Sequence, residues 1–214
     1  MKMQPQEKKI IQTYNQVAES YAAQRHDELS KKTFDPLLLK AFATANKHKG
    51  PFADFGCGPG QTTRFLYDND IKDITGIDIS QAMIEEARKL HPKIKFETGD
   101  LLNISYDSNH FGSAVAFYAI VHFTYEEIGK AFSEVNRVLK TGAHFLCSFH
   151  VGDETVHYDT AHDIPVDIDL YYFQTERIIT LLQQTGFEII EALERYPNKE
   201  EYQSKRGYIW AEKK

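Results

Sequence analysis

Gly56, Gly58 and Gly60 fall within five positions of "DFGCGPGQTTRFL", between an apolar stub and a helix-like stretch. Glycine loses more conformational freedom on folding than any other residue, so such a cluster marks a backbone that turns sharply or approaches something closely. Asp78 closes the next apolar segment about 20 residues on, where nucleotide-binding folds place an acid that accepts from ribose hydroxyls. Each feature alone has a plainer explanation: a tight strand–helix turn for the glycines, a helix cap for the aspartate. Together they point to an adenosine-containing ligand resting on backbone amides at a helix N-terminus.

The spacing says less about which adenosine. The dinucleotide fingerprint G-x-G-x-x-G places its third glycine where this chain has Gln61, so G-x-G-x-G supplies no third small residue there for helix packing. None of the 12 tyrosines has a lysine four residues on, so the Y-x-x-x-K pair of short-chain dehydrogenases is absent. Both facts count against a nicotinamide cofactor.

The elements that must position these residues follow from periodicity. Ile10, Tyr14, Val17 and Tyr21 recur at helical spacing, and a second helix is expected near residues 34–45. Short apolar runs then alternate with amphipathic helices: "FADF", "ITGIDIS", "IKFETGD", "SAVAFYAIV" and "AHFLCSF" read as strands. Ser80 is placed to cap one helix; Thr124 and Glu127 form a capping box on another, with Gly142 as its stop. After "TERIITLLQQ" and Gly186, the strands "FEIIEALER" and "GYIWAEK" have no helix between them. This order predicts a doubly wound α/β fold: a mostly parallel seven-stranded sheet with an antiparallel last strand, helices on both faces and a helical N-terminal extension. A single domain over residues 1–214 is expected, with 1–45 as a helical cap and 150–174 as a loop on the substrate side.

Composition excludes several classes. The chain of 214 residues is 42% apolar and 26% charged, with net charge −6, which argues against a nucleic-acid binder. Cys57 and Cys147 form no C-x-x-C pair and offer no metal framework. The N-terminal residues lack a leader-like apolar core and "AVAFYAIV" is too short to span a bilayer, so a cytoplasmic protein without membrane association is expected.

Five segments in order resemble the motifs of class I S-adenosylmethionine-dependent methyltransferases. "DFGCGPGQTTRFL" is similar to that family's glycine-rich first motif, "GIDISQAMIEEAR" to the second and "FETGDLLNI" to the third. "FGSAVAFYAIVHF" and "EVNRVLKTGAHFLCSF" resemble the fourth-strand motif and the helix and strand after it, with Phe111-Gly112 where relatives often carry Phe-Asp. The resemblance implies S-adenosyl-L-methionine as cofactor. It places Asp54, Gly56 and Gly58 around the methionine part, with Gly60 in the same loop, and Asp78 on the ribose. It places Ile79 and Met83 on the adenine, and Asp100 and Leu101 at the adenine's edge. "YNQVAESYAAQR" is similar to a cofactor-covering helix, on which Tyr14, Tyr21 and Arg25 share a face and Arg25 suits the cofactor carboxylate.

Methyl transfer from a sulfonium needs an in-line nucleophile shielded from water, and an oxygen or nitrogen acceptor can need a base. His122 after the fourth strand and His150 after the fifth are the catalytic candidates; His157 and His162 are looser ones, and no metal site is expected. The motifs of DNA amino- and cytosine-methylating enzymes are absent, which favours a small-molecule acceptor. Six acids in residues 150–174, with no lysine or arginine, would favour a neutral or cationic one if that stretch lids the pocket. A non-catalytic S-adenosylmethionine-binding regulator and an NAD-dependent oxidoreductase are the alternatives.

Overall fold

The computed structural model describes residues 5–161 and 163–214. Helix α1 (Pro5–Arg25), a 3₁₀ turn (Glu28–Lys31) and α2 (Phe34–Asn46) come first. Then follow β1 (Phe52–Phe55), α3 (Gln61–Asp68), β2 (Ile74–Asp78), α4 (Gln81–Leu90), β3 (Lys95–Thr98) and β4 (Phe111–Phe117). The chain continues through α5 (Tyr125–Val138), β5 (Leu139–Val151), β6 (Thr155–Ala161) and β7 (Ile164–Tyr171). It closes with α6 (Thr175–Gln184), β8 (Phe187–Arg195) and β9 (Lys205–Lys213).

The main sheet has seven strands in the order β3-β2-β1-β4-β5-β9-β8. Strands β1 to β5 pair in parallel, and β9 runs antiparallel to both β5 and β8. Strand order reverses between β1 and β4, so the crevice beyond their carboxyl ends is the switch point at which such sheets take ligands.

Alternation along each strand feeds two cores. On β5, Phe145, Cys147 and Phe149 face α5 and α6, joining Ile128, Phe132, Ile178 and Leu182. Leu146 faces the other way, into the cluster of Leu39, Phe42, Phe52, Leu66, Ile84 and Phe96. All are buried, and each large apolar side chain withdrawn from water contributes roughly 1.5–3 kcal/mol. The helices of α5 and α2–α4 therefore cover opposite faces, as the pattern predicted.

Two local expectations are corrected. The capping box on α5 is present, Glu127 N–H to Thr124 Oγ1 at 3.3 Å and Thr124 N–H to Glu127 Oε2 at 2.8 Å, but the helix ends at Val138. Gly142 does not stop it; it lies inside β5 with φ +75°, near the register shift between β4 and β5. The stretch 150–174 is not a loop: β6 and β7 pair into an antiparallel ribbon, and α6 starts directly after it. Its apolar Ile164, Val166, Ile168 and Leu170 alternate with Pro165, Asp167 and Asp169, a period-two pattern that the density of acids obscures. The acids lie mainly on the outer face: Asp153, Glu154, Asp159, Asp163 and Asp167 are exposed, and Asp169 meets His157 at 2.8 Å. His162 lies outside the described residues.

Helix α1 sits between α4 and this ribbon. Val17 and Ala18 are buried against Met83 of α4, with Ala161, Ile164 and Val166 of the ribbon packed around them. Lys9 bridges to Asp167 at 2.6 Å, an exposed pair. Among the described residues no helix is long and apolar enough to cross a membrane.

Candidate functional site

A cavity of about 990 Å³ opens at the carboxyl edge of β1, β2, β4 and β5, roofed by α1 and the ribbon. All of the expected site residues line it except Gly60, and of the looser candidates His157 lies outside it, exposed and paired with Asp159 and Asp169. At Gly58, with φ +52°, an added Cβ would meet nothing within 4 Å, so the backbone there presents an open cradle. Gly60 stands behind that cradle as the N-cap of α3. Its φ is +88°, and a Cβ would fall 2.7 Å from the ring of Phe96. It is therefore the third small residue, which lets α3 pack against the sheet one position earlier than the dinucleotide fingerprint does.

Asp78 joins this corner together. Its Oδ2 accepts from Gly58 N–H at 2.8 Å and its Oδ1 from Ser80 N–H at 2.9 Å. Burial raises its pKa, against the lowering effect of those two amides. Ser80 caps α4 by accepting from Met83 N–H at 3.2 Å, as the sequence predicted. Asp54 lies beneath the loop, 1% exposed, accepting from Thr63 Oγ1 at 2.6 Å. Desolvation pushes its carboxyl up to about 7 despite that bond, and the nearby charge of Asp78 adds to the rise. Asp100 is half-buried and accepts from Leu102 N–H at 2.8 Å; Leu101 and Met83 are buried and Ile79 partly so. The open backbone at Gly58, beside a carboxylate with spare lone pairs and a flanking apolar wall, fits the adenosine and methionine parts of S-adenosylmethionine.

The α1 wall is tied to both sides. Asn15 Oδ1 accepts from Ser80 Oγ at 2.8 Å and from Ala82 N–H at 3.2 Å. Tyr14 hydroxyl lies 2.6 Å from His122 Nε2, and His122 Nδ1 lies 2.8 Å from the Asp169 carbonyl oxygen. A carbonyl only accepts, so Nδ1 carries the proton and Nε2 accepts from Tyr14. Burial lowers the His122 pKa to about 4. The ring is thus neutral and engaged at both nitrogens, which makes it a clamp joining α1, β4 and the ribbon. Tyr21 packs edge-on to Tyr14, with ring centroids 6.3 Å apart. Arg25 borders the cavity, but its guanidinium donates to Glu28 at 3.2 Å and lies 5.7 Å from the Tyr21 ring.

The far end of the cavity is built from β4, β5, β9 and the turn after α1. His150 stacks on Tyr172 at 5.2 Å between centroids, and its Nδ1 lies 2.6 Å from Ser204 Oγ. Burial, together with Arg206 and Lys32, lowers its pKa to about 3. Tyr118 directly follows β4 at φ +57°, a left-handed conformation rare for a bulky residue, and its hydroxyl meets that of Tyr208 at 3.1 Å. Neither histidine is poised as a strong base near neutral pH; both are held neutral by burial. Sequence reasoning missed Arg206, Lys32 and Tyr118. The first two come to the cavity only because β9 runs antiparallel beside β5 and the 3₁₀ turn folds under it. Nothing in their local sequence marks them.

Residues 52–142 match a protein-family model of a methyltransferase domain. An O-methyltransferase of Pyrenophora dematioidea is 27% identical over 154 residues, covering 66% of this chain and 55% of that protein. A demethylmenaquinone methyltransferase of Bacteroides fragilis is 31% identical over 121 residues, covering 54% of this chain and 44% of that one. The chain spans about half the length of the curated relatives it matches. Among solved structures, a SAM-dependent methyltransferase of Methanosarcina mazei superposes with a TM-score of 0.71 at 18% identity, covering 80% of this chain and 96% of that one. At that identity the likeness is one of fold.

Proposed function

Because the chain belongs to the class I S-adenosylmethionine-dependent methyltransferase family, we propose that it moves a methyl group from S-adenosylmethionine to a small-molecule acceptor. The observation that carries this reading is the continuity of one cavity from the Gly58–Asp78 corner to the His150–Arg206 end. Its volume of about 990 Å³ is at the upper end of the 300–1,000 Å³ usual for small-molecule pockets, room enough for a nucleoside cofactor and a modest acceptor. When bound, the cofactor supplies an electrophilic methyl carried on a sulfonium.

The residues of the chain then bind, orient and exclude water. Asp78 would hold the ribose hydroxyls, and the open backbone at Gly58, whose own amide is bonded to Asp78, would lie against the methionine part with Asp54 beneath. Ile79, Met83 and Leu101 enclose the adenine, whose amine Asp100 meets. Helix α1, tied by Tyr14 to His122 and by Asn15 to Ser80 and Ala82, closes over this end with Tyr14 and Tyr21, and Arg25 at the rim, paired with Glu28, would suit the cofactor carboxylate. Closure removes water, and positioning alone can be worth roughly 7–11 kcal/mol in favourable intramolecular cases. His122 and His150 act by shaping and lining the cavity, since neither is set up to accept a proton from the acceptor.

The test is thermal. S-adenosylmethionine or S-adenosylhomocysteine should raise the melting temperature, because a ligand that binds only the native state stabilises it by mass action. At a concentration of about 100 times Kd the gain is about 2.7 kcal/mol. Stabilisation by NADH alone would overturn the reading.

A further inference from the structure

We propose that the acceptor is an organic acid whose carboxylate is held by Arg206; this rests on the methyl-transfer reading above. Arg206 is the second residue of β9, opposite His150 in the β5–β9 register, so the antiparallel strand brings it to the carboxyl edge of the parallel ones. It is 3% exposed, yet it lines the cavity. Nη1 donates to the carbonyl and the hydroxyl oxygen of Ser204, the latter at 2.6 Å, and Nε is buried without a partner. Among the described residues Arg206 makes no ion pair. The buried carboxylate whose charge it feels, Glu201, is already gripped by Arg195. A buried cation without a close counterion is costly, and an anion in the cavity relieves that cost.

The surrounding charges do not cancel it. Arg25, Glu28, Lys32, Asp35, Arg195 and Glu201 form one alternating chain of ion pairs, three cations with three anions. Arg206 is the cation in excess. Of the other acids that border the cavity, Glu200 and Asp163 are exposed and screened by solvent. Glu127 is held in the α5 capping box, Glu7 lies in the first turn of α1, and Asp54, Asp78 and Asp100 belong to the glycine-loop end.

One further feature disfavours a cationic acceptor. The ring of Tyr118, which could attract one, already has Lys32 Nζ at 4.8 Å and Arg206 Cζ at 5.9 Å from its centroid. Ser204 Oγ accepts from Arg206 and lies within hydrogen-bond distance of His150 Nδ1. A fixed cation suits a carboxylate, which accepts at both oxygens. The acids of the ribbon, which by sequence pointed to a neutral or cationic acceptor, lie mainly on its outer face.

The experiment titrates the protein, saturated with S-adenosylhomocysteine, with aliphatic and aromatic monocarboxylic acids and with their primary amides, by calorimetry. Acids should bind at least ~10-fold more tightly than their amides. Arg206→Gln should abolish that preference without changing S-adenosylhomocysteine affinity, and with a melting temperature no lower than that of the wild type. A residue that only packs would lower it. Arg206→Lys should keep part of the preference. Equal binding of acids and amides, or of acids by wild type and Arg206→Gln, overturns the proposal, as does absence of acid binding while S-adenosylhomocysteine binds. Should the glutamine variant not fold, the wild-type comparison of acids with amides and the lysine variant decide. Failure of S-adenosylhomocysteine itself to bind defeats the methyl-transfer reading and this inference with it.

Discussion

Asp78 and Asp54 are neighbours in the same buried corner with different tasks, and substitution separates them. Asp78 bonds the amides of Gly58 and Ser80, and on the function proposed above its remaining lone pairs take the ribose hydroxyls. Charge-assisted hydrogen bonds of this kind contribute about 1.5–3 kcal/mol each. Asp78→Ala is therefore expected to weaken S-adenosylhomocysteine binding by at least ~10-fold; unchanged affinity by calorimetry would move the ribose contact elsewhere. Asp54 is a matter of protons. Its ordinary pKa of 3.8 rises to about 7 on burial, so between those values the native state holds a proton that the unfolded chain has released. Stability consequently falls as pH rises through that window and levels off above it. Asn is neutral throughout and can still accept from Thr63. Asp54→Asn should thus raise the melting temperature of the empty protein at about pH 8, with a gain that shrinks by about pH 5. A gain independent of pH would mean that Asp54 is ionised in the fold.

Helix α1 is the element on which binding and stability meet. It buries Val17 and Ala18 on Met83, and polar links through Asn15 and Tyr14 hold it in place. Much of its remaining surface is exposed, and it packs on a helix end and a ribbon instead of on the main sheet. Segments with few buried apolar contacts open at lower free energy than core elements, and active-site lids are drawn from that group. Amide exchange across Pro5–Arg25 should slow on adding S-adenosylhomocysteine, by more than in α5, whose Ile128, Phe132 and Val135 are fully buried. Deleting residues up to Arg25 should cost cofactor affinity more than the stability of the empty protein. A helix equally protected with and without ligand would reduce α1 to a packing element.

At the scale of the whole molecule, the chain ends are joined through a buried charge network. Arg195 at the end of β8 donates to Asp35 of α2 at 2.9 Å and grips Glu201 through two nitrogens, at 2.5 and 2.6 Å. Asp35 is fully buried and Glu201 nearly so, and Tyr208 donates to the same Asp35 oxygen at 2.5 Å. Breaking such a network from one side strands the other charges, at about 3–5 kcal/mol. Arg195→Ala should lose roughly that much in urea unfolding, and a loss below about 1 kcal/mol would place these groups in the class of solvated surface pairs. None of this network could be read from "DPLLLK" or "LERYPNKEE", because each charge looks like an ordinary surface residue until distant segments meet. Local sequence determined what depends on local physics: the glycine turn, Asp78 at a strand end, the Ser80 and Thr124 caps, and the alternation that makes a doubly wound sheet. Tertiary structure decided what depends on distant segments coming together. It turned the acidic stretch into a ribbon with its acids mainly outward and engaged both nitrogens of His122. It also set Gly60 against Phe96 and brought Arg206 to the cavity. Backbone preferences act over a few residues, whereas burial and the pairing of charges are settled only when the layers pack.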